Sequence, residues 1–206
     1  MMHGSAGHAR SVSCVVDFPP RDDVCGALEE HIRRFFSGHA TEVFTWTAGP
    51  IRSANEHFRV LRVEPKHPDG AWTYVTTGGW ANTAESSGGT EFILSTPVAV
   101  PRAVELLAMA VYYDRDGRLG LGHTLPIGEP WLPGSICDHF LISLPYPWGP
   151  QLQTCHVGDR HVEFLWLLPI TSREREFKTK HGQEALEVRF EEVQLRYWNA
   201  QRDSAV

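Results

Sequence analysis

Eleven histidines and four cysteines in a chain of 206 residues supply the residue types of metal binding and nucleophilic catalysis, and spacing decides whether either is built. His161-Val162-Glu163 has the form of the first half of a zinc-deaminase signature, in which the histidine ligates zinc and the glutamate moves protons. The second half, Pro-Cys-x-x-Cys, occurs nowhere in the chain. On a strand His161 and Glu163 share one face while Val162 and Phe164 take the other, so cross-strand polar neighbours are the simpler reading. The His-Glu-x-x-His pattern of helical zinc hydrolases is absent. Cys14, Cys25, Cys137 and Cys155 show no two-residue spacing, which excludes zinc ribbons and thioredoxin-like motifs and leaves reduced, partly buried thiols.

Two adjacent pairs, Cys155-His156 and Asp138-His139, hold the residue types of a Cys-His-Asp triad. Triad members meet in space, and neighbouring strand side chains point opposite ways, so adjacency alone pairs nothing. There is no Gly-x-Ser-x-Gly elbow, and the stretch 117–122, GRLGLG, has the wrong glycine spacing for a dinucleotide loop and follows a helix. Asp114 and Asp116 resemble the start of a calcium loop, yet the twelfth position is Leu125, where a bidentate carboxylate is required. No catalytic, cofactor-binding or metal-binding residue is therefore assigned. The competing reading is a hydrolase or metal-dependent enzyme assembled from dispersed His, Cys and Asp.

Recognition chemistry has better candidates. Trp80, Trp131, Tyr146 and Trp148 stand in loop-like segments beside Pro or Gly. Aromatics there either fold back onto the core or anchor a protein interface, where Trp and Tyr are enriched. His123, in GLGHTLP, either holds its own loop or contacts a partner. These five are the candidate partner-binding residues. A net charge of -6 and a pI near 6.0 argue against nucleic acid and anionic membrane and favour a basic protein partner. No apolar run approaches the length of a membrane span, and the first residues lack the pattern of a signal peptide, so a cytoplasmic protein is expected.

The elements that must position these groups are legible in part. Residues 1–21 read as a flexible lead-in rich in Gly, Ser, Ala and His, and 22–206 as one domain, since 42% hydrophobic residues suffice for a sizeable core. A helix is predicted to Phe36 from a cap at Asp22 or Asp23, with Leu28, Ile32, Phe35 and Phe36 at helical spacing and Gly38 as its stop. Strands follow at 42–46, 58–63 and 72–76 as an antiparallel meander, then a loop over 79–89 and a strand at 91–95. Pro101 suits the first turn of a helix to Tyr113, with Val104, Leu107, Ala108, Val111 and Tyr112 as its buried stripe. The proline-rich connection 123–150 contains one strand at 140–144.

The run 162–169, seven apolar residues in eight, fits a strand covered on both faces and ended by Pro169. Thr171 followed by Glu174 is a capping box worth about 1 kcal/mol, and the charge run 173–176 reads as a solvated first turn. Gly182 stops that helix, and a last one over 183–193 buries Leu186, Phe190 and Val193. The tail, where Leu195 and Tyr197 alternate with polar residues, reads as extended. The expected class is α+β, a mixed, mainly antiparallel sheet with helices packed on it.

The run PWLPGSICDHFLISLPYPWGP at 130–150, followed by HVEFLWLLPI and the helix ending in HGQEAL, resembles the bacterial, single-domain members of the suppressor-of-fused-like family. GAWTYVTTGGW at 70–80 is similar to the family's strand leading into a Thr-x-Gly turn, TEFILSTP at 90–97 to its next strand, and PRAVELLAMAVYY at 101–113 to its central helix. The resemblance spans roughly residues 24–206. It implies an α/β sandwich and a protein-binding domain, not an enzyme. Single-domain bacterial members have been placed among the immunity proteins of polymorphic toxin systems, which neutralise a toxin by binding it. The longer animal relatives sequester a transcription factor.

Overall fold

The structure, a computed structural model, describes residues 21–46, 49–83, 88–115 and 118–206. The lead-in assigned to 1–21, with Cys14, lies outside the described residues except for Arg21, as do Asp116 and Gly117 of the loop after Asp114. Helix α1 (Arg21–Phe35) repeats apolar residues at helical spacing, and Val24, Leu28 and Ile32 are fully buried. Strand β1 (Thr41–Thr45), a helical turn α2 (Ile51–Ala54), and strands β2 (Arg59–Val63) and β3 (Trp72–Thr77) follow. A 3-10 turn, Gly79–Thr83, then leads to β4 (Gly88–Thr96) and α3 (Pro101–Tyr113). Next come β5 (Thr124–Pro126), β6 (Cys137–Ser143), the turn α4 (Pro150–Gln153), β7 (Thr154–Val157) and β8 (Arg160–Thr171). Helices α5 (Ser172–His181) and α6 (Gln183–Glu192) end the regular structure.

The strands form one sheet in the order β1-β2-β3-β4-β8-β6-β5, with β7 also on β8. All pairs are antiparallel except β4·β8. That parallel step requires a crossover, and α3 is its helical part. The predicted α+β class with a mixed, mainly antiparallel sheet is therefore what the chain adopts. Alternation along β8 separates two cores: Leu165 and Leu167 pack with α3, whereas Phe164, Trp166, Leu168 and Ile170 pack with α1 and with Leu186 and Phe190 of α6. The strand is covered on both faces, which explains its continuous apolar run.

Several expectations need correction. Pro169 does not end β8, which continues to Thr171. Pairing with β4 stops at Trp166, so beyond it β8 has a neighbour on one side only, and a missing N–H there costs no ladder bond. The predicted capping box is present, Thr171 Oγ1 accepting from Glu174 N–H and the Glu174 carboxylate from Thr171 N–H. Yet Glu174 is wholly buried, not a member of a solvated turn. Its carboxylate also takes both Arg202 Nη groups, each at 2.7 Å, and Ala205 N–H at 2.9 Å. The tail is accordingly a pinned set of turns with no strand. Val193, assigned to the α6 stripe, is 53% exposed because the helix has ended at Glu192. Strand β5 subdivides the connection predicted over 123–150, and the turn α4 and strand β7 follow it over 150–157, where no element was predicted.

Glu91 is a second buried acid with no sequence signal. It is wholly buried on β4 and accepts from the Thr76 hydroxyl and from the amides of Gly78, Gly79 and Trp80. The carboxylate thus shapes the turn after β3. Gly78 sits there at φ 117°, and a Cβ would lie 2.4 Å from the His57 carbonyl oxygen. Burial pushes the Glu91 carboxyl up to about 7, against the pull of these donors. No helix among the described residues is long and apolar enough to cross a membrane.

Candidate functional site

The dispersed catalytic types stay dispersed. Cys155 registers with Val162 of β8 and His139 with Ile170, which places them about 26 Å apart at roughly 3.3 Å per residue. A Cys-His-Asp triad is therefore not assembled. At the far end, the Asp138 carboxylate lies 2.8 Å from His139 Nδ1 and accepts from Ser172 Oγ at 2.7 Å. Burial raises that carboxyl, but the bonds from Ser172 and His139 outweigh it and hold it below its ordinary value. The order is Ser-Asp-His, with the carboxylate between hydroxyl and ring, so Ser172 donates to an acid and not to a histidine base. His161 and His156 face each other across β7 and β8 with ring centroids 4.9 Å apart, a cross-strand pair. Cys137 and Cys155 are buried free thiols, and burial raises their pKa, which makes them weak nucleophiles; Cys25 is buried as well.

A groove lies on the α1/α6 face of the sheet. Its floor is the outward-alternating residues of two strands, Leu141 and Ser143 of β6 and Trp166 and Leu168 of β8. One wall is α6, through Glu187, Phe190 and Glu191, and the chain that turns back at its end, Gln194, Leu195 and Tyr197. The other is the turn carrying Tyr146 and Pro147. The volume of this open groove is about 620 Å³. A second hollow of about 560 Å³, bounded by Phe36, Val63, Pro65, Thr73, Trp148 and Trp198 among others, shares Tyr197 with it.

An aromatic cluster separates the two hollows. Tyr197 meets the Trp166 ring edge-on at 4.7 Å, Trp148 meets it edge-on at 5.9 Å, and Trp198 meets Tyr197 edge-on at 4.7 Å. Such edge-to-face pairs add about 0.5–1.5 kcal/mol beyond their buried area and give rigid walls. Burial raises the Tyr197 hydroxyl to about 12, so it stays a neutral donor at physiological pH. The tail that delivers Tyr197 is held by the Glu174–Arg202 clasp.

Two of the five predicted partner-binding residues line these hollows: Tyr146, which is 61% exposed, and the half-buried Trp148. Trp80 and Trp131 turn inward and are buried, so they are not surface anchors. The Arg160 guanidinium sits over the Trp80 ring, and Trp131 Nε1 donates to Ser135 Oγ at 2.9 Å. His123 is exposed but apart from the groove residues, with Nδ1 accepting from Gly120 N–H at 3.2 Å across its own loop. Sequence reading placed Tyr197 only in an extended tail, gave Trp198 no role and gave Trp166 to the core alone. Adjacent aromatics in a polar tail were the available signal.

A mixed sheet clad by helices on both faces, with a surface groove lined by rings, is an α+β sandwich compatible with contact to another protein. The model of the suppressor of fused protein (SUFU) family matches residues 54–203, and the chain belongs to that family. The crystal structure of a SUFU homolog from Neisseria gonorrhoeae is similar with a TM-score of 0.79 and 37% identity, covering 90% of this chain and 98% of that one. A Sufu–Fu complex has a chain similar at a TM-score of 0.66 and 11% identity, over 88% of this chain and 92% of that one. Drosophila Suppressor of Fused is similar at 0.67 and 12%, over 88% of this chain and 51% of that one, about half its length. The last two likenesses concern the fold alone. No curated protein sequence matches the chain.

Proposed function

We propose that this chain is a non-enzymatic protein-binding domain that acts in the cytoplasm as an immunity-like protein, neutralising a basic toxin by binding it. The observation that carries the reading is the aromatic groove with Glu187 and Glu191 on its wall. Rigid rings at a concave surface provide contact area at low ordering cost. A net charge of -6 speeds encounter with a positive partner, an effect that salt weakens. The Sufu–Fu complex is a case in which a suppressor of fused protein contacts another protein, which supports the same use of this fold here.

The test is capture of partners from the native host with the full chain at low and high salt, followed by Tyr146→Ala and Trp148→Ala variants. A basic protein retained at low salt, weakened by both substitutions, and less toxic when co-expressed with the wild-type chain is expected. Recovery of no protein partner, together with turnover of a small substrate, would overturn the reading in favour of an enzyme.

A further inference from the structure

The groove beside α6 has a specific chemical bias. Its apolar lining, from Leu141, Trp166, Leu168, Phe190, Leu195 and Tyr197, surrounds a volume within the range of roughly 300–1,000 Å³ typical of ligand-binding sites. Glu187 and Glu191 are one helical turn apart and project from one face of α6. Glu187 is half-buried, and its hydrogen-bond partner is a neutral amide, Gln183 Nε2 at 2.8 Å. Among the described residues, neither carboxylate forms a salt bridge. A half-buried carboxylate beside apolar walls gains most from a cation that arrives with a ligand.

Two further observations fall on the same lining. Trp166 is 5% exposed, and its indole N–H has no acceptor among the described residues. Leaving that donor unmet is costly, and because the nitrogen is covered, an acceptor carried by a ligand relieves the cost only as the ring turns toward the groove. Gln194 holds a left-handed backbone, φ 49°, where most helix ends place glycine. Leu195 N–H bonds to the Phe190 carbonyl at 2.9 Å and Gln194 N–H to the Glu191 carbonyl at 3.0 Å, a Schellman stop that turns the chain so that Leu195 and Tyr197 wall the groove.

We propose that this groove takes a short basic segment of a protein partner, with an aliphatic or aromatic side chain set against Trp166 and a Lys or Arg reaching Glu187 and Glu191. The proposal rests on the protein-binding reading and assigns the part of the partner that is recognised. It needs no component beyond this domain, because every wall is drawn from residues 141–197.

The probes are two fluorescein-labelled decapeptide pools with the same Leu, Phe or Trp centre, one flanked by Lys and Arg and the other by Asp and Glu. Fluorescence polarisation with the full chain should show binding of the basic pool, weakened by salt, and none of the acidic pool. Glu187→Lys combined with Glu191→Lys should weaken the basic pool by at least about tenfold. Trp166→Phe, which keeps a ring and removes the N–H, should weaken it several-fold, with melting temperature confirming the fold. The charge-matched surface control, Glu56→Lys with Glu176→Lys, should bind as wild type does. Equal binding of both pools, or unchanged binding by the groove variants, overturns the proposal. A captured partner that the Glu187→Lys, Glu191→Lys variant still retains sinks the groove assignment and leaves the protein-binding reading standing. No partner and no peptide binding sinks both.

Discussion

Replacing Arg202 by leucine removes the cation that the buried Glu174 carboxylate faces. The guanidinium donates twice to Glu174 at 2.7 Å, to the Pro169 carbonyl at 2.8 Å and to the Asp203 carbonyl at 2.9 Å. Both side chains are almost wholly desolvated, with relative exposures of 6% and 0%. Screening by water is therefore slight, and breaking one side of such a pair costs about 3–5 kcal/mol. Folded domains have only about 5–15 kcal/mol in all, so Arg202→Leu should shift the urea midpoint far down, read by tryptophan fluorescence with an unchanged slope. Glu174→Gln keeps an acceptor for Thr171 N–H while removing the charge. The double variant should therefore lose less than the sum of the singles, with a coupling of about 2 kcal/mol or more. Hydrogen exchange should also rise across 195–205, because the clasp is what docks the tail. An Arg202→Leu cost below about 1 kcal/mol, or additive singles, would refute this reasoning.

Other outcomes follow from the same packing. Trp166→Ala should cost about 3–5 kcal/mol, since the ring is floor to the groove and core at once; an unchanged denaturation midpoint would contradict its burial. Glu91→Ala strands three amides and a hydroxyl in the interior and should cost at least about 3 kcal/mol at about 1–3 kcal/mol per unmet group, measured by thermal or urea unfolding. Because the folded-state pKa of Glu91 is raised to about 7 from 4.5, its protonated form is the favoured one in the fold. Wild-type stability relative to Glu91→Gln should be greatest below about pH 4.5 and decline as pH rises through about 7. The opposite slope would show that the amide donors outweigh burial. Among the described residues no group of three or more His, Cys, Asp or Glu could hold a metal ion, so exhaustive chelation should leave the melting temperature unchanged.

Features decided within a few residues were legible in the chain. Pro101 at the start of α3, the Thr171–Glu174 capping box, the Gly182 stop and the two-sided apolar run of β8 all depend on backbone chemistry and periodicity over one or two turns. The resemblance of several separate blocks to one family extended that legibility to the whole sheet. What the sequence could not determine was direction and distant partnership. Trp80, Trp131, Tyr146 and Trp148 each have Pro or Gly beside them, yet two point inward and two line the surface hollows, because the space available depends on elements far along the chain. Glu174 looks like any acid in an exposed first turn until Arg202, 28 residues later, reaches it. Pro169 reads as a stop until the register reveals that β4 no longer needs its amide. The groove itself joins two strands, a helix, a turn and the tail, and only their packing brings Tyr197 to Trp166 and sets Glu187 and Glu191 beside them.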